Sequence, residues 1–170
     1  MSAEVLTGKA FKFGDNISTD LICPGKYYHL RSTPMKLAEH VMEDADPDFY
    51  SKMEKGKAFI VGGDNFGLGS SREHAPLIIR LAGVNAVIVK SAARIFFRNC
   101  INVGLPIIIT EEIEKIKDGD ELSIDLNGGV IKNLTQNLEI KFPPLPRIMT
   151  DILNSGGLVD YIKKNKDFKL

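Results

Sequence analysis

Residues 65–75 have the sequence Asn65-Phe66-Gly67-Leu68-Gly69-Ser70-Ser71-Arg72-Glu73-His74-Ala75. An apolar run that ends at Val61 precedes this segment, and apolar residues at helical spacing follow it from Leu77 onward. The pattern predicts the end of a strand, a turn and the N-terminus of a helix. Gly67 and Gly69 would let the backbone turn sharply and would let a ligand approach it closely.

Two interpretations of this turn share the same geometry. In the first, the unpaired N–H groups of a helix N-terminus bind an anion. Arg72 would then match a carboxylate, and Ser70 or Ser71 would offer a hydroxyl. In the second, Ser70 and Glu73 form the S-x-x-E capping box, which stabilises a helix and needs no function. The two interpretations are compatible, and spacing alone leaves both open.

The composition is typical of a soluble globular domain. The chain has 170 residues, of which 44% are hydrophobic and 26% are charged, and this length suits one domain with its own core. The 22 basic and 22 acidic residues give a formal net charge of zero. Because binding to a phosphate backbone relies on an excess of positive charge, nucleic acid is not expected as a partner.

The potential metal ligands are too few and too scattered for a metal site. The two cysteines are Cys23 and Cys100, and the three histidines are not spaced as a cluster. Two thiolates cannot form a four-cysteine zinc site, nor supply the three or four ligands that an iron–sulfur cluster usually takes. We therefore expect this chain to hold no metal itself.

The sequence shows neither a targeting segment nor a membrane segment. Residues 1–4 lack the basic flank and the apolar core of a signal peptide. No apolar run approaches the length that crosses a membrane. We therefore expect a cytoplasmic protein with reduced thiols.

Strand and helix patterns alternate along the middle of the chain. The predicted elements are strands at 58–61, 84–89 and 105–109 and helices at 71–83 and 91–104. Ser91 would cap the second helix, while Gly83 and Gly104 would end the two helices. A continuous apolar run such as 84–89 is typical of a strand that is buried on both faces of a parallel sheet. The β-α-β-α-β order therefore predicts an α/β core.

Further candidate residues lie near this core and in the N-terminal third. Arg94 would share a sheet edge with Ser70, as a helper of the site or as a structural residue. Thr19 and Asp20 form a polar pair that either belongs to a site or satisfies the backbone of a turn. Arg31 would bind a substrate carboxylate or remain solvated. It lies within residues 26–33, which are predicted to be a loop, where specificity residues often sit.

The remaining segments predict a strand before the core and a change of character after it. A strand is predicted at 5–13 and a helix from Pro34 to about residue 46. After Glu111 the predicted elements are short antiparallel strands at 122–126, 130–132 and 138–142, and helices at 148–153 and 158–164. The fold class is therefore α/β, with a parallel core, a short antiparallel portion and C-terminal helices.

Common site motifs do not fit the turn. A dinucleotide fingerprint would need a third glycine where Arg72 stands, a P-loop would need Gly-Lys-Ser/Thr, and a nucleophile elbow would need Gly-x-Ser-x-Gly. A stand-alone acyl-transfer or phosphate enzyme is therefore disfavoured. A non-catalytic regulatory module that binds a small organic acid at Ser70 and Arg72 is an alternative of another class.

Three blocks of sequence resemble a known family. They are Gly69-Ser70-Ser71-Arg72-Glu73-His74-Ala75-Pro76, Ala86-Val87-Ile88-Val89-Lys90-Ser91-Ala92-Ala93-Arg94-Ile95-Phe96-Phe97-Arg98-Asn99 and Asn102-Val103-Gly104-Leu105-Pro106. On these blocks the chain closely resembles the small subunits of 3-isopropylmalate dehydratase, in the aconitase superfamily. The resemblance spans nearly the whole chain and implies a single aconitase-type swivelling β/β/α domain over residues 1–170.

The resemblance implies a hydro-lyase of leucine biosynthesis that acts with a second subunit. The large partner subunit would hold a [4Fe–4S] cluster on three cysteines, whose Lewis-acid iron would act on a hydroxy-carboxylate substrate. Ser70 resembles the family serine that takes the proton, and Arg72 resembles the arginine that grips a carboxylate. The further substrate-binding candidates are Arg31, Ser71, Gly69, Thr19 and Asp20.

The segment around Arg31 departs from the common isopropylmalate pattern. That pattern has apolar residues after the first tyrosine, whereas this chain has Leu30-Arg31-Ser32. An arginine here resembles homoaconitase and aconitase, whose substrates carry an extra carboxylate. The resemblance as a whole favours 3-isopropylmalate as the substrate, with a homoaconitase-type substrate as the alternative.

Overall fold

The computed structural model describes residues 5–166, and within them the chain forms seven strands and seven α-helices. The strands are β1 (Val5–Lys12), β2 (Ala58–Gly62), β3 (Val84–Val89), β4 (Ile107–Ile109), β5 (Glu121–Asp125), β6 (Val130–Asn133) and β7 (Leu138–Lys141). The helices are α1 (Thr19–Ile22), α2 (Pro34–Ala38), α3 (Phe49–Lys52), α4 (His74–Ala82), α5 (Arg94–Val103), α6 (Arg147–Asn154) and α7 (Leu158–Asn165). Residues 1–4, where no signal-peptide pattern was found, lie outside the described part.

The strands form one mixed sheet in the order β4-β3-β2-β1-β5-β6-β7. The first four strands of the chain are parallel neighbours, as the β-α-β-α-β pattern predicts, with Phe11 opposite Ile60 and Val61 opposite Ile88. The last three strands are antiparallel, also as predicted. They join the parallel part through β1, where Leu6 lies opposite Ile124.

Two hydrophobic cores lie on opposite faces of the parallel strands. Along β2, Ile60 belongs to the core beneath the helices, called here the helix-side core. Phe59 and Val61 belong to the other core, called here the second core. Residues of the antiparallel strands, including Ile131 and Ile140, pack into that second core. The curled sheet therefore gives layers of helices, parallel strands and antiparallel strands, which confirms the predicted β/β/α arrangement. Burial on both faces explains why the central strands have continuous apolar sequences.

Both crossover helices begin later than predicted. The helix predicted from Ser71 begins at His74, and the helix predicted from Ser91 begins at Arg94 after Ala93. The hydroxyl of Ser91 is not a cap, because it accepts from the backbone N–H of Asn65. The predicted ends are confirmed, since Gly83 and Gly104 are left-handed with φ of 96° and 80°.

Three predictions in the N-terminal third are also corrected. The helix predicted from Pro34 to about residue 46 ends at Ala38, and a run of turns follows it. The loop predicted at 26–33 begins as a 3-10 helix, Gly25–Leu30, called here the 3-10 segment. Thr19 and Asp20 lie in a short helix that the hydroxyl of Ser18 caps, rather than in a turn. Within residues 5–166, no helix is long and apolar enough to cross a membrane.

Candidate active site

The glycine turn, residues 65–70, is attached on one side to the segment that leads into α1. The N–H of Gly67 donates to the carbonyl of Ile17 at 2.7 Å, and the N–H of Thr19 donates to the carbonyl of Leu68 at 2.8 Å. These bonds make a parallel bridge between Ser18 and Leu68. The bridge holds the turn although no regular strand runs through it.

The other side of the turn is attached to the segment that leads into α5. The N–H of Phe66 donates to the carbonyl of Ser91 at 3.0 Å, and the N–H of Ala93 donates to the carbonyl of Phe66 at 2.9 Å. The Phe66 ring also packs edge-on against Phe96, with 5.5 Å between ring centroids. The turn is therefore held from two directions by residues far away in sequence.

Both glycines of the turn have backbone angles that favour glycine. Gly67 has φ of 76° and Gly69 has φ of 115°, both in the left-handed region. A Cβ at Gly67 would overlap the ring of Phe96, and a Cβ at Gly69 would lie 2.9 Å from the hydroxyl oxygen of Thr19. The sequence predicted the sharp turn, and the structure adds a steric reason for each glycine.

Ser70 is held through its backbone and has one hydrogen bond to its hydroxyl. Its N–H donates to Thr19 Oγ1 at 2.9 Å, and its Oγ accepts from the N–H of Arg72 at 3.2 Å. The predicted capping box is not formed, because the N-cap position of α4 is Glu73, which makes no side-chain capping bond. The Ser70 hydroxyl therefore belongs to the turn and not to the helix.

Asn99 supports the same turn, and sequence reasoning did not identify it as part of the site. Its side-chain amide donates to the carbonyl of Ser71 at 2.9 Å, and the residue is 9% exposed. A polar residue on the buried side of an amphipathic helix was the available signal. Asn99 thus links α5 to Ser71, the residue that follows the glycine turn.

A cleft of about 340 Å³ opens beside Ser70. Its lining residues are Thr19, Asp20, Cys23, Pro24, Gly25, Tyr28, Arg31, Leu37, Ser70, Arg72, His74 and Ala75. The cleft therefore brings together five of the seven site residues predicted from the sequence: Ser70, Arg72, Arg31, Thr19 and Asp20. Gly69 and Ser71 are not among the lining residues. Arg94 lines a separate pocket with Arg98 and is not among the residues that line this cleft.

Two arginines of the cleft share one aromatic ring. The guanidinium carbon of Arg31 lies 4.3 Å from the ring centroid of Tyr28, and that of Arg72 lies 5.1 Å from it. Within residues 5–166 neither guanidinium forms an ion pair with a carboxylate. Sequence reasoning missed Tyr28, because this contact depends on how two distant segments meet.

Part of the cleft lining is apolar. Cys23, Pro24, Leu37 and Ala75 contribute to the lining, and Leu37 is 1% exposed. Burial, together with the neighbouring charge of Asp20, raises the pKa of the Cys23 thiol. The thiol therefore stays protonated and neutral at physiological pH, and it adds to the apolar character of the cleft lining.

An anchor cluster, formed by Lys26, Tyr27, His40, Glu43 and Asp44, fixes the 3-10 segment to the chain after α2. The ring of Tyr27 stacks on His40 with 3.6 Å between centroids. Glu43 accepts from the Tyr27 hydroxyl at 2.8 Å and lies 2.6 Å from Nδ1 of His40. Lys26 pairs with Glu43 at 3.1 Å and with Asp44 at 3.2 Å. Hydrogen bonds from His40 and Tyr27 lower the pKa of Glu43 to about 2.

The part of the chain that the structure describes contains no group of three or more His, Cys, Asp or Glu residues able to hold a metal ion. Cys100 lies in the helix-side core, where burial raises the pKa of its thiol well above the usual value. Since the whole chain has only two cysteines, its residues do not fit a cluster bound by three thiolates. A cluster of that kind would need ligands from another chain.

Comparison with known proteins defines the class of this fold and cleft. Residues 12–112, which include the glycine turn, match the family model of the aconitase C-terminal domain. The chain therefore belongs to the aconitase C-terminal domain family.

Relatives narrow the assignment. The chain is 58% identical over 165 residues to the 3-isopropylmalate dehydratase small subunit 2 of Archaeoglobus fulgidus, covering 97% of this chain and 99% of that protein. It is 55% identical to the small subunit 1 of Thermotoga maritima, covering 96% and 98%. A crystal structure of 3-isopropylmalate dehydratase from Methanocaldococcus jannaschii superposes with a TM-score of 0.89 at 48% identity, covering 96% of each chain. Within its class, the chain belongs to the small subunits of 3-isopropylmalate dehydratase, a hydro-lyase.

Proposed function

We propose that this chain completes the active site of a two-subunit enzyme of leucine biosynthesis. The enzyme isomerises 3-isopropylmalate by removing water and adding it back at the neighbouring carbon. The observation that carries the proposal is the cleft lined by both Ser70, whose hydroxyl accepts from a backbone N–H, and Arg72. The proposed partner is a large subunit that holds a [4Fe–4S] cluster, and the proposed location of the complex is the cytoplasm.

Ser70 is proposed to move the proton in both directions. Dehydration removes a proton from the carbon next to a carboxylate while hydroxide leaves the neighbouring carbon, and rehydration reverses both events. A serine hydroxyl is a weak base, so its oxyanion must be stabilised. The N–H of Arg72 at 3.2 Å is one donor already aimed at the oxygen, and the Arg72 guanidinium adds positive charge in the same cleft.

The other residues of the site bind and position. Arg72 is proposed to bind a substrate carboxylate, and the cluster in the partner would supply Lewis-acid activation of the leaving hydroxyl. Thr19 holds the Ser70 backbone through its Oγ1. Gly69 and Ser71 are proposed to contact substrate through the turn beside the cleft, and Asp20 from its lining. We propose that residues 1–170 act as a single swivel-type domain that closes over the substrate.

The lining favours 3-isopropylmalate as the substrate. A branched alkyl group suits the apolar part of the lining, which is contributed by Cys23, Pro24, Leu37 and Ala75. One observation supports a second candidate, a homoaconitase-type substrate with an additional carboxylate: Arg31 faces the same cleft and forms no ion pair within residues 5–166. The guanidinium of Arg31 lies over Tyr28, however, so its charge is not left without a neighbour.

The test is reconstitution with the large subunit under anaerobic conditions. Alkene formation is followed at equal concentrations of 3-isopropylmalate and homocitrate, and we expect strong preference for 3-isopropylmalate. Preference for homocitrate would show that Arg31 binds a distal carboxylate and that the assignment to leucine biosynthesis is wrong.

The role of Ser70 is tested in the same complex. The Ser70→Ala variant should lower turnover by about 100-fold or more, the effect expected on losing a positioned proton-transfer group. Size-exclusion chromatography should show an unchanged complex with the large subunit. Turnover close to that of the wild type would remove Ser70 from the proton transfer.

A further inference from the structure

The ring of Tyr28 lies within cation–π distance of both arginines of the cleft. The distances from its centroid are 4.3 Å to Arg31 and 5.1 Å to Arg72, both under the roughly 6 Å over which a ring face attracts a cation. The two arginines come from different parts of the fold, one after the 3-10 segment and one from the chain just after the glycine turn. The Tyr28 ring thus contacts both of these parts at the cleft.

Tyr27, the neighbour of Tyr28 in sequence, fixes the backbone that carries Tyr28. Tyr27 is stacked on His40 and bonded to Glu43 in the anchor cluster. Tyr28 itself is 40% exposed and lines the cleft. The 3-10 segment therefore directs one tyrosine to the anchor and the next tyrosine to the arginines.

The positive charges of Arg31 and Arg72 show what the Tyr28 ring contributes at the cleft. Two guanidinium groups on one ring repel each other, and neither has a carboxylate partner within residues 5–166. Long arginine side chains that lack such partners would otherwise sample many rotamers. The ring face offers each of them a favourable position at the edge of the cleft, where a dicarboxylate substrate would bring two negative charges.

We propose that Tyr28 is a positioning residue that holds the guanidinium groups of Arg31 and Arg72 where the substrate carboxylates bind. It also keeps Arg31 away from the apolar lining residues Cys23, Pro24, Leu37 and Ala75. This inference rests on the proposed function. It would explain how an arginine at this place is compatible with an alkyl-bearing substrate, since a guanidinium held on an aromatic ring would not turn toward the alkyl group. The hydroxyl of Tyr28 has no part in this role.

The kinetic test compares Tyr28→Leu and Tyr28→Phe in the reconstituted complex. Tyr28→Leu should raise KM for 3-isopropylmalate about tenfold, the change expected from two lost cation–π contacts, while kcat changes less than about twofold. It should also lower the ratio of kcat/KM for 3-isopropylmalate to that for homocitrate, because Arg31 becomes free to turn into the cleft. Tyr28→Phe keeps the ring and should behave as the wild type.

A matched control and a direct readout separate positioning from general destabilisation. Tyr50→Leu removes another tyrosine ring that faces a cation, Lys55 at 5.5 Å, outside the cleft, and it should leave KM unchanged. In the full chain, NMR shifts of the arginine side-chain Nε–H groups should move for Arg31 and Arg72 in Tyr28→Leu and stay unmoved in Tyr50→Leu.

The experiments distinguish a failure of the role of Tyr28 from a failure of the proposed function. Unmoved arginine shifts, or moved shifts with unchanged KM and substrate ratio, would overturn the role of Tyr28. Failure of the wild-type complex to convert 3-isopropylmalate would overturn the proposed function, and this inference with it. The two failures differ because one is seen in the variant and the other already in the wild type.

Discussion

Gly67 shows how one missing side chain shapes the site. Its φ of 76° and the ring of Phe96 against its Cα leave no room for a Cβ. We expect Gly67→Ala to lower the free energy of unfolding by about 2–4 kcal/mol, because left-handed strain adds to steric overlap with a buried ring. Urea denaturation measures this loss.

Gly14 supplies the matched control for this substitution. It is exposed and lies outside regular secondary structure, its φ is not left-handed, and a Cβ added there would have no atom within 4 Å. Gly14→Ala should change stability by less than about 0.5 kcal/mol. Equal effects at the two positions would show that the contact between Gly67 and Phe96 is not a constraint.

At the residue scale, the sequence pointed to the groups proposed to carry chemistry more readily than to the groups that hold them. Ser70 and Arg72 were proposed because glycines, a hydroxyl and an arginine in one short segment suggest an anion site. Tyr28 and Asn99 were not assigned to the site. Their roles come from contacts with Arg31, Arg72 and the carbonyl of Ser71, which no local spacing reveals.

At the element scale, the ends of the two crossover helices were predicted better than their starts. A left-handed glycine such as Gly83 or Gly104 is a strong local signal. Serines are weaker signals, because a hydroxyl can bond to other groups. Ser70 accepts from Arg72 within the turn, and Ser91 accepts from Asn65 and donates to Asp64. A local bond to Arg72 engages Ser70, and tertiary bonds to Asp64 and Asn65 engage Ser91, so α4 and α5 begin after the predicted caps.

The 3-10 segment has a stability that depends on pH through Glu43. The folded chain lowers the pKa of Glu43 from 4.5 to about 2, so its ionised form is stabilised by folding. This contribution is complete above the unfolded pKa and is lost as the pH falls through the folded pKa. Compared with Glu43→Gln, the wild type should be more stable above about pH 5, and the difference should shrink between pH 4.5 and about 2.

Urea denaturation of both proteins at several pH values provides the measurement. Glu39→Gln, at an exposed carboxylate without an ion pair in the described part of the chain, is the control and should parallel the wild type. A stability difference between wild type and Glu43→Gln that is constant from about pH 6 to about pH 2 would contradict the role of the anchor cluster.

At the scale of the whole molecule, the second core lies apart from the residues that line the cleft. The cleft residues Leu37 and Ala75 belong to the helix-side core, whereas Ile140 is fully buried in the second core. Ile140→Ala should lower the free energy of unfolding by about 2–5 kcal/mol through the cavity it leaves. The kcat per folded complex should stay within about twofold of the wild type, as measured at a temperature where the variant is folded.

Glu139 is the control for this prediction, because it precedes Ile140 and is exposed. Glu139→Ala should be nearly neutral for stability. A large fall in kcat for Ile140→Ala at full folding would show that the antiparallel layer is coupled to the cleft.

The sequence predicted each strand of this architecture but not how the two halves of the sheet connect. Apolar runs identified the parallel strands, and short alternating runs with a hairpin turn identified β5 to β7. The pairing of β1 with β5 joins residues more than a hundred positions apart. Local periodicity carries no information about such a partner, so the continuous sheet and its curl emerged only from the structure.

The central place of β1 in the sheet has a consequence for synthesis of the chain. Among the described strands β1 leaves the ribosome first, yet its two neighbours begin at Ala58 and Glu121. A nascent chain that has reached β4 therefore holds β1 with one edge unpaired and the second apolar face of the parallel strands uncovered. All the residues that line the cleft have been made by then, but the antiparallel strands that cover this second face are made only afterwards.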